Sequence, residues 1–144
     1  IQRRLLTLMT HIYASPNYLE ENGIPNSVED LAHHRLIIYG FDTPPPVASI
    51  NWLLDVGTMS DKRRKAALRV NNLYGVYRAA RSGLGLAALP DYMIPEDVDI
   101  IRVLPELSGP SIQTYFVYPE ELRHSKRISI FREFLLQKVA EFNP

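Results

Sequence analysis

Apolar and polar positions along this chain form short blocks that switch between strand and helix periodicity, and turn residues punctuate them. Residues 5–14 are rich in β-formers and stop at Ser15-Pro16, where Ser predicts an N-cap and Pro a first helical position. That helix ends at Gly23, and Ser27-Val28-Glu29-Asp30 fits a capping box opening another short helix. Leu36-Ile37-Ile38-Tyr39 predicts a buried strand closed by Gly40, and Pro44-Pro45-Pro46 makes residues 40–49 a loop. Residues 52–56, from Trp52 to Val56, predict a strand stopped by Gly57, and residues 67–70 predict another. Asn71 or Asn72 caps a helix that runs to about Ser82, with Leu73, Val76, Tyr77 and Ala80 on one face and Gly83 at its C-cap.

Residues 86–89 form a short strand stopped by Pro90, and residues 91–94 one helical turn. Strands follow at residues 100–104 and 112–117. A long amphipathic helix then starts near Ser125, with Ile128, Phe131, Leu135, Val139 and Phe142 on its apolar face and Phe134 beside it. Strands alternating with helices predict an α/β fold around a largely parallel sheet.

Composition narrows the classes. The 144 residues are 46% hydrophobic and 22% charged, as in an ordinary globular domain. Sixteen basic and sixteen acidic residues cancel, whereas a domain that holds nucleic acid carries a basic excess, so this segment is not expected to bind DNA by itself. Without cysteine there is no disulfide, thiolate nucleophile or zinc-thiolate site, which suits a reducing cytoplasm. No stretch approaches the roughly 20 apolar residues that span a bilayer. Opening directly on Ile1 in an apolar run, the chain reads as a fragment of something longer.

Catalysis has no candidate constellation. There is no G-x-S-x-G elbow and no phosphate loop. Gly83-Leu84-Gly85 closes a helix and leads into a strand, the reverse of a dinucleotide loop, and reads as a turn. Lys62-Arg63-Arg64-Lys65 reads as a solvated loop. His11, His33, His34 and His124 have no metal-ligand spacing, and His33-His34 read as the exposed end of a helix. Asp55 has basic neighbours to pair with but nothing that makes it an acid or base. Neither a cofactor nor a metal is expected.

Two places could hold a small ligand. Asn71, Asn72 and Leu73 open a helix, whose free N–H groups favour an anion such as a carboxylate; a plain cap explains the asparagines equally well. Tyr39, Gly40, Phe41 and Asp42 follow the C-terminal end of a buried strand, where ligands of open α/β sheets bind. Gly40 permits close backbone approach and Phe41 an apolar wall, though an ordinary strand exit accounts for them too.

Three ordered segments carry a resemblance: Tyr13-Ala14-Ser15-Pro16-Asn17-Tyr18-Leu19-Glu20-Glu21-Asn22-Gly23-Ile24-Pro25 with Val28-Glu29-Asp30-Leu31-Ala32-His33-His34; Val70-Asn71-Asn72 with Ala79-Ala80-Arg81-Ser82-Gly83-Leu84-Gly85-Leu86-Ala87-Ala88-Leu89-Pro90; and Val103-Leu104-Pro105 with Val117-Tyr118-Pro119. Together they resemble the effector-binding region of LysR-type transcriptional regulators over nearly the whole chain.

The resemblance implies a Rossmann-like lobe of a type 2 periplasmic-binding-protein-like fold, a mixed or parallel sheet flanked by helices. It implies that residues 1–12 end a first lobe and cross over, that 13–114 form the second lobe, and that 115–144 return as a crossing strand and the first lobe's last helix. It implies a cytoplasmic regulator that binds a small effector in an interlobe cleft, with Asn71, Asn72 and Leu73 facing that cleft. Such a protein self-associates through its effector domains and contacts DNA only through an N-terminal helix-turn-helix absent here. The last helix would pack on first-lobe strands that this chain lacks. A transporter's solute-binding protein shares the two-lobe plan and is the alternative; an enzyme would need a reactive cluster.

Overall fold

The computed structural model describes residues 1–40, 47–59, 61–96 and 98–142. The chain forms two units: Met9–Pro110, and Ile1–Leu8 with Ser111–Pro144.

The larger unit is built on strands β2 (Thr10–Ala14), β3 (Leu36–Tyr39), β4 (Leu68–Val70), β5 (Leu86–Pro90) and β6 (Ile101–Val103), in the order β4-β3-β5-β2-β6. β3 is parallel to β4 and β5, but β2 is antiparallel to β5 and β6. The sheet is therefore mixed rather than largely parallel.

Both faces are covered, which is why its central strands β3 and β5 read as unbroken apolar runs. Ile12, Ala14, Leu36, Ile38 and Leu86 point to one face, where they meet Tyr18, Leu19, Leu31, Trp52, Leu53 and Leu54. Tyr13, Ile37, Ala87 and Leu89 point to the other, against Val76, Tyr77 and Ala80. Each large side chain buried this way contributes roughly 1.5–3 kcal/mol.

The local signals act largely as expected. Helix α1 (Pro16–Asn22) is capped by the Ser15 hydroxyl, which accepts from Tyr18 N at 3.2 Å. Gly23 closes it at φ +82°, a conformation open to glycine. Only the acidic half of the capping box forms: Asp30 Oδ2 accepts from Asn26 N and Ser27 N at 2.9 and 3.0 Å. The helix there is a short 3-10 turn, Glu29–His33. Helix α2 (Leu73–Arg81) buries Val76, Tyr77, Ala79 and Ala80, and Arg78 and Arg81 lie in its last turn, where cations suit the dipole.

Two expectations fail. The strand expected at residues 52–56 is a 3-10 helix, Trp52–Leu54. Trp52, Leu53 and Leu54 all enter the same core cluster, which a strand's alternation forbids. Nor is the basic run simply a solvated loop. The Arg64 guanidinium donates to Val56 O, Val28 O and Leu53 O at 2.5, 3.0 and 3.4 Å, holding carbonyls that no strand pairs. Its burial pushes its pKa down.

The β-rich run 5–14 splits at Met9 into two strands of different sheets. In the smaller unit β1 (Gln2–Leu8) pairs antiparallel with β7 (Ile112–Val117), with an irregularity between Arg4 and Leu6. Helix α3 (Lys126–Phe142) packs beside β1, and Phe131 meets Phe116 edge-on at 5.7 Å. Ile128, Leu135 and Val139 are half-buried, while Phe131 and Phe134 remain about half exposed. Among the described residues no helix is long and apolar enough to cross a membrane.

Candidate functional site

The C-terminal ends of β3 and β4 bring the two expected ligand segments together. Tyr39 is in register with Val70, and Gly40 N donates to Val70 O at 3.0 Å. Tyr39 and Gly40 thus end beside Asn71, Asn72 and Leu73. Gly40 adopts φ +129°, which a side chain would strain. Asn72, not Asn71, is the cap: its Oδ1 accepts from Gly75 N at 2.6 Å and receives nothing from Asn71, whose Oδ1 accepts from Asn72 Nδ2 at 3.1 Å. Both asparagines are exposed, and Leu73 and Tyr39 are half-buried. Phe41 and Asp42 lie outside the described residues.

Sequence reasoning missed Asn51. Its side-chain amide accepts from Tyr39 N at 3.1 Å and donates to Tyr39 O at 2.7 Å, supplying with one residue what a neighbouring strand would supply. The cavity beneath this corner, lined by Tyr39, Asn51, Leu73 and Val76 among others, measures about 10 Å³. That holds one water at most, so a ligand here would sit on the corner and not beneath it. A far larger concavity, about 560 Å³, lies along Ala48, Ser49, Trp52, Ser108, Gly109 and Pro110. Only the lone tryptophan of the sequence hinted at it.

A polar cluster on the sheet was also missed, because its members are far apart in sequence. His11 Nδ1 donates to Asp91 Oδ1 and Oδ2 at 2.8 and 2.9 Å, and the Tyr13 hydroxyl donates to Oδ1 at 2.8 Å. Arg102 donates to the Tyr13 oxygen at 3.0 Å and lies 3.4 Å from Asp91. Burial, then the hydrogen bond to Asp91, pushes the Tyr13 phenol up to about 12.

The remaining histidine and acid readings shift in detail. His34 is half-buried; its Nδ1 accepts from the Tyr18 hydroxyl at 3.0 Å, and burial lowers its pKa. Asp55 does pair with Arg63, at 2.8 Å. Among the described residues no group of His, Asp or Glu could hold a metal ion.

A five-stranded mixed sheet covered on both faces, whose parallel strand ends meet a helix start, is the fold of a periplasmic-binding-protein-like lobe. Residues 1–140 match the family model described as the LysR substrate binding domain, and the chain belongs to that family.

An uncharacterized HTH-type transcriptional regulator of Haemophilus influenzae is 31% identical over 131 residues, covering 86% of this chain and 43% of that protein. The regulator YhjC of Escherichia coli is 28% identical over 144 residues, covering 90% and 44%. The chain thus spans less than half the length of these curated relatives. Among solved structures, the regulatory domain of CrgA from Neisseria meningitidis superposes with a TM-score of 0.72 at 20% identity, covering 96% of this chain and 68% of that one. That of AphB from Vibrio vulnificus gives 0.70 at 25%, covering 95% and 69%.

Proposed function

We propose that this chain is the ligand-sensing part of a LysR-type transcriptional regulator, binding a small anionic effector on the face formed by Tyr39, Gly40, Asn71, Asn72 and Leu73; Phe41 and Asp42, expected from the sequence to join them, lie outside the described residues. The hydrogen bond from Gly40 N to Val70 O carries this reading, because it sets the β3 exit beside the N-terminus of α2. N–H groups at a helix start attract an anion, and Gly40 leaves room for its approach. No enzymatic role is part of the reading.

In this reading Met9–Pro110 is the second lobe, and the β1–β7 pair with α3 belongs to the first. First-lobe strands from the rest of the protein cover the apolar side of α3. Effector binding shifts the lobes between states, and an N-terminal helix-turn-helix outside this chain reads the shift on DNA. The whole protein acts in the cytoplasm as a homo-oligomer. A transporter's solute-binding protein is not favoured, since the relatives are named as transcriptional regulators.

Asn72→Asp tests the anionic face. Aspartate keeps the cap but places a negative charge at the helix start. Thermal-shift titration with small carboxylates is expected to show stabilisation of the wild type and at least about tenfold weaker binding by N72D. Equal binding by the two proteins would sink the anionic reading.

A further inference from the structure

Thr10 Oγ1 and Trp52 Nε1 are both enclosed, and neither has a hydrogen-bond partner among the described residues. Their residues are only 5% and 8% exposed. Buried polar groups in native proteins are nearly always paired, so an orphaned pair in one place demands an explanation. Both atoms face one point: a Cβ placed on Gly109 would overlap the indole nitrogen and the threonine hydroxyl together. Residue 109 closes over them only because it has no side chain.

Trp52 and Gly109 are also walls of the concavity of about 560 Å³, with Ala48, Val56 and Pro110. An N–H that can only donate, beside a hydroxyl free to donate, suits an acceptor with two oxygens. The surrounding walls are apolar at Ala48, Val56 and Pro110 and polar at Ser49 and Ser108, and Asp55 at the rim is held by Arg63 at 2.8 and 3.1 Å.

We infer that Thr10, Trp52 and Gly109 form the inner end of a subsite for a small carboxylate with an apolar body, whose oxygens accept from the threonine hydroxyl and the indole N–H as residues 108–110 give way. The inference rests on the ligand-sensing reading and deepens it, because Asn51, next to Trp52, ties the subsite to the Tyr39 corner. It also assigns a route for the signal. The chain passes between its two units at Leu8 to Met9 and at Pro110 to Ser111. Gly109 N donates to Thr10 O at 2.9 Å, so the segment leaving the larger unit is bonded to the segment entering it. A carboxylate that takes the two orphan donors displaces Gly109 and loosens that bond, so both passages register occupancy at once.

Trp52 is the only tryptophan of this chain, so the chain's own tryptophan emission reports this position alone. The probes are phenylacetate and hexanoate, each against its methyl ester. A saturable change in emission is expected with the acids and not with the esters.

Thr10→Val keeps the shape and removes the hydroxyl. It is expected to raise Tm by about 2–5 °C, because an unpaired buried group is gone, while binding weakens about tenfold. A variant that is more stable and binds the acids as tightly as the wild type would show the orphans to be packing defects and overturn the subsite. Binding that N72D abolishes while T10V leaves it intact overturns the subsite and spares the proposed function. Wild-type protein with neither an emission change nor a thermal shift overturns both.

Discussion

The two units of this chain divide the physical work unequally. In the larger one, helices and 3-10 turns cover both faces of a five-stranded sheet, and Ile12, Ala14, Leu31, Leu53, Ala80, Leu86, Ala87 and Leu89 are wholly enclosed. In the smaller one, Tyr118 alone among the described residues is buried, and Ile130, Phe131 and Phe134 are half exposed or more. Charge divides as well. The smaller unit holds seven of the sixteen basic residues and four of the sixteen acidic ones, leaving the larger unit acidic. A net charge of zero therefore hides two segments of opposite sign. A two-stranded ribbon with one helix cannot bury enough apolar surface to be stable alone, whereas the larger unit has the core of an independent lobe.

Core truncation should separate the units most. Leu86→Ala removes a wholly buried side chain from the middle of the sheet and should cost about 2–5 kcal/mol in urea unfolding. A loss below about 1 kcal/mol would mean that the larger unit is not the source of stability.

Alkaline titration acts on the larger unit through Tyr13. Its phenol is raised from 10.0 to about 12, so the folded state keeps a proton that the unfolded chain releases. The stability tied to that proton is complete below pH 10 and disappears as pH rises through about 12. Tyr13→Phe should flatten that part of the pH profile, and an unchanged alkaline slope would assign it to other groups. The smallest effect is expected in α3. Phe131→Ala should cost under about 1 kcal/mol, since the ring is already half in water; a core-sized loss would show that this helix is better covered than its exposure indicates.

What could be read in the sequence was local. Ser15 and Pro16 start α1, Asn72 starts α2, Gly23 and Gly83 follow their ends, and the strand at Leu36-Ile37-Ile38-Tyr39 needs only its own apolar run. Each of the two candidate segments was legible by itself, but their juxtaposition comes from the register of β3 with β4, which neither segment carries. What escaped depends on residues distant in sequence. Trp52-Leu53-Leu54 looks like a strand until Arg64, ten or more residues later, takes the Leu53 carbonyl with its guanidinium and the Leu54 carbonyl with its backbone N–H. Asn51 looks like a loop residue until it meets Tyr39, and His11 an isolated histidine until it meets Asp91, eighty positions on. The antiparallel placement of β2 could not be read either, because hydrophobic periodicity carries no strand direction.

Arg64 has a consequence for how this sequence can drift. Of the four consecutive basic residues, Lys62, Arg63 and Lys65 are exposed, and neutral exchange there disturbs little. Position 64 is different, because three carbonyls from two separate segments converge on one planar fork. A lysine would preserve the charge but present a single compact ammonium on a thinner stem. A substitution table scores that exchange as conservative, yet this fold would register it as a broken crosslink. Four adjacent cations, alike on paper, therefore face very different mutational fates.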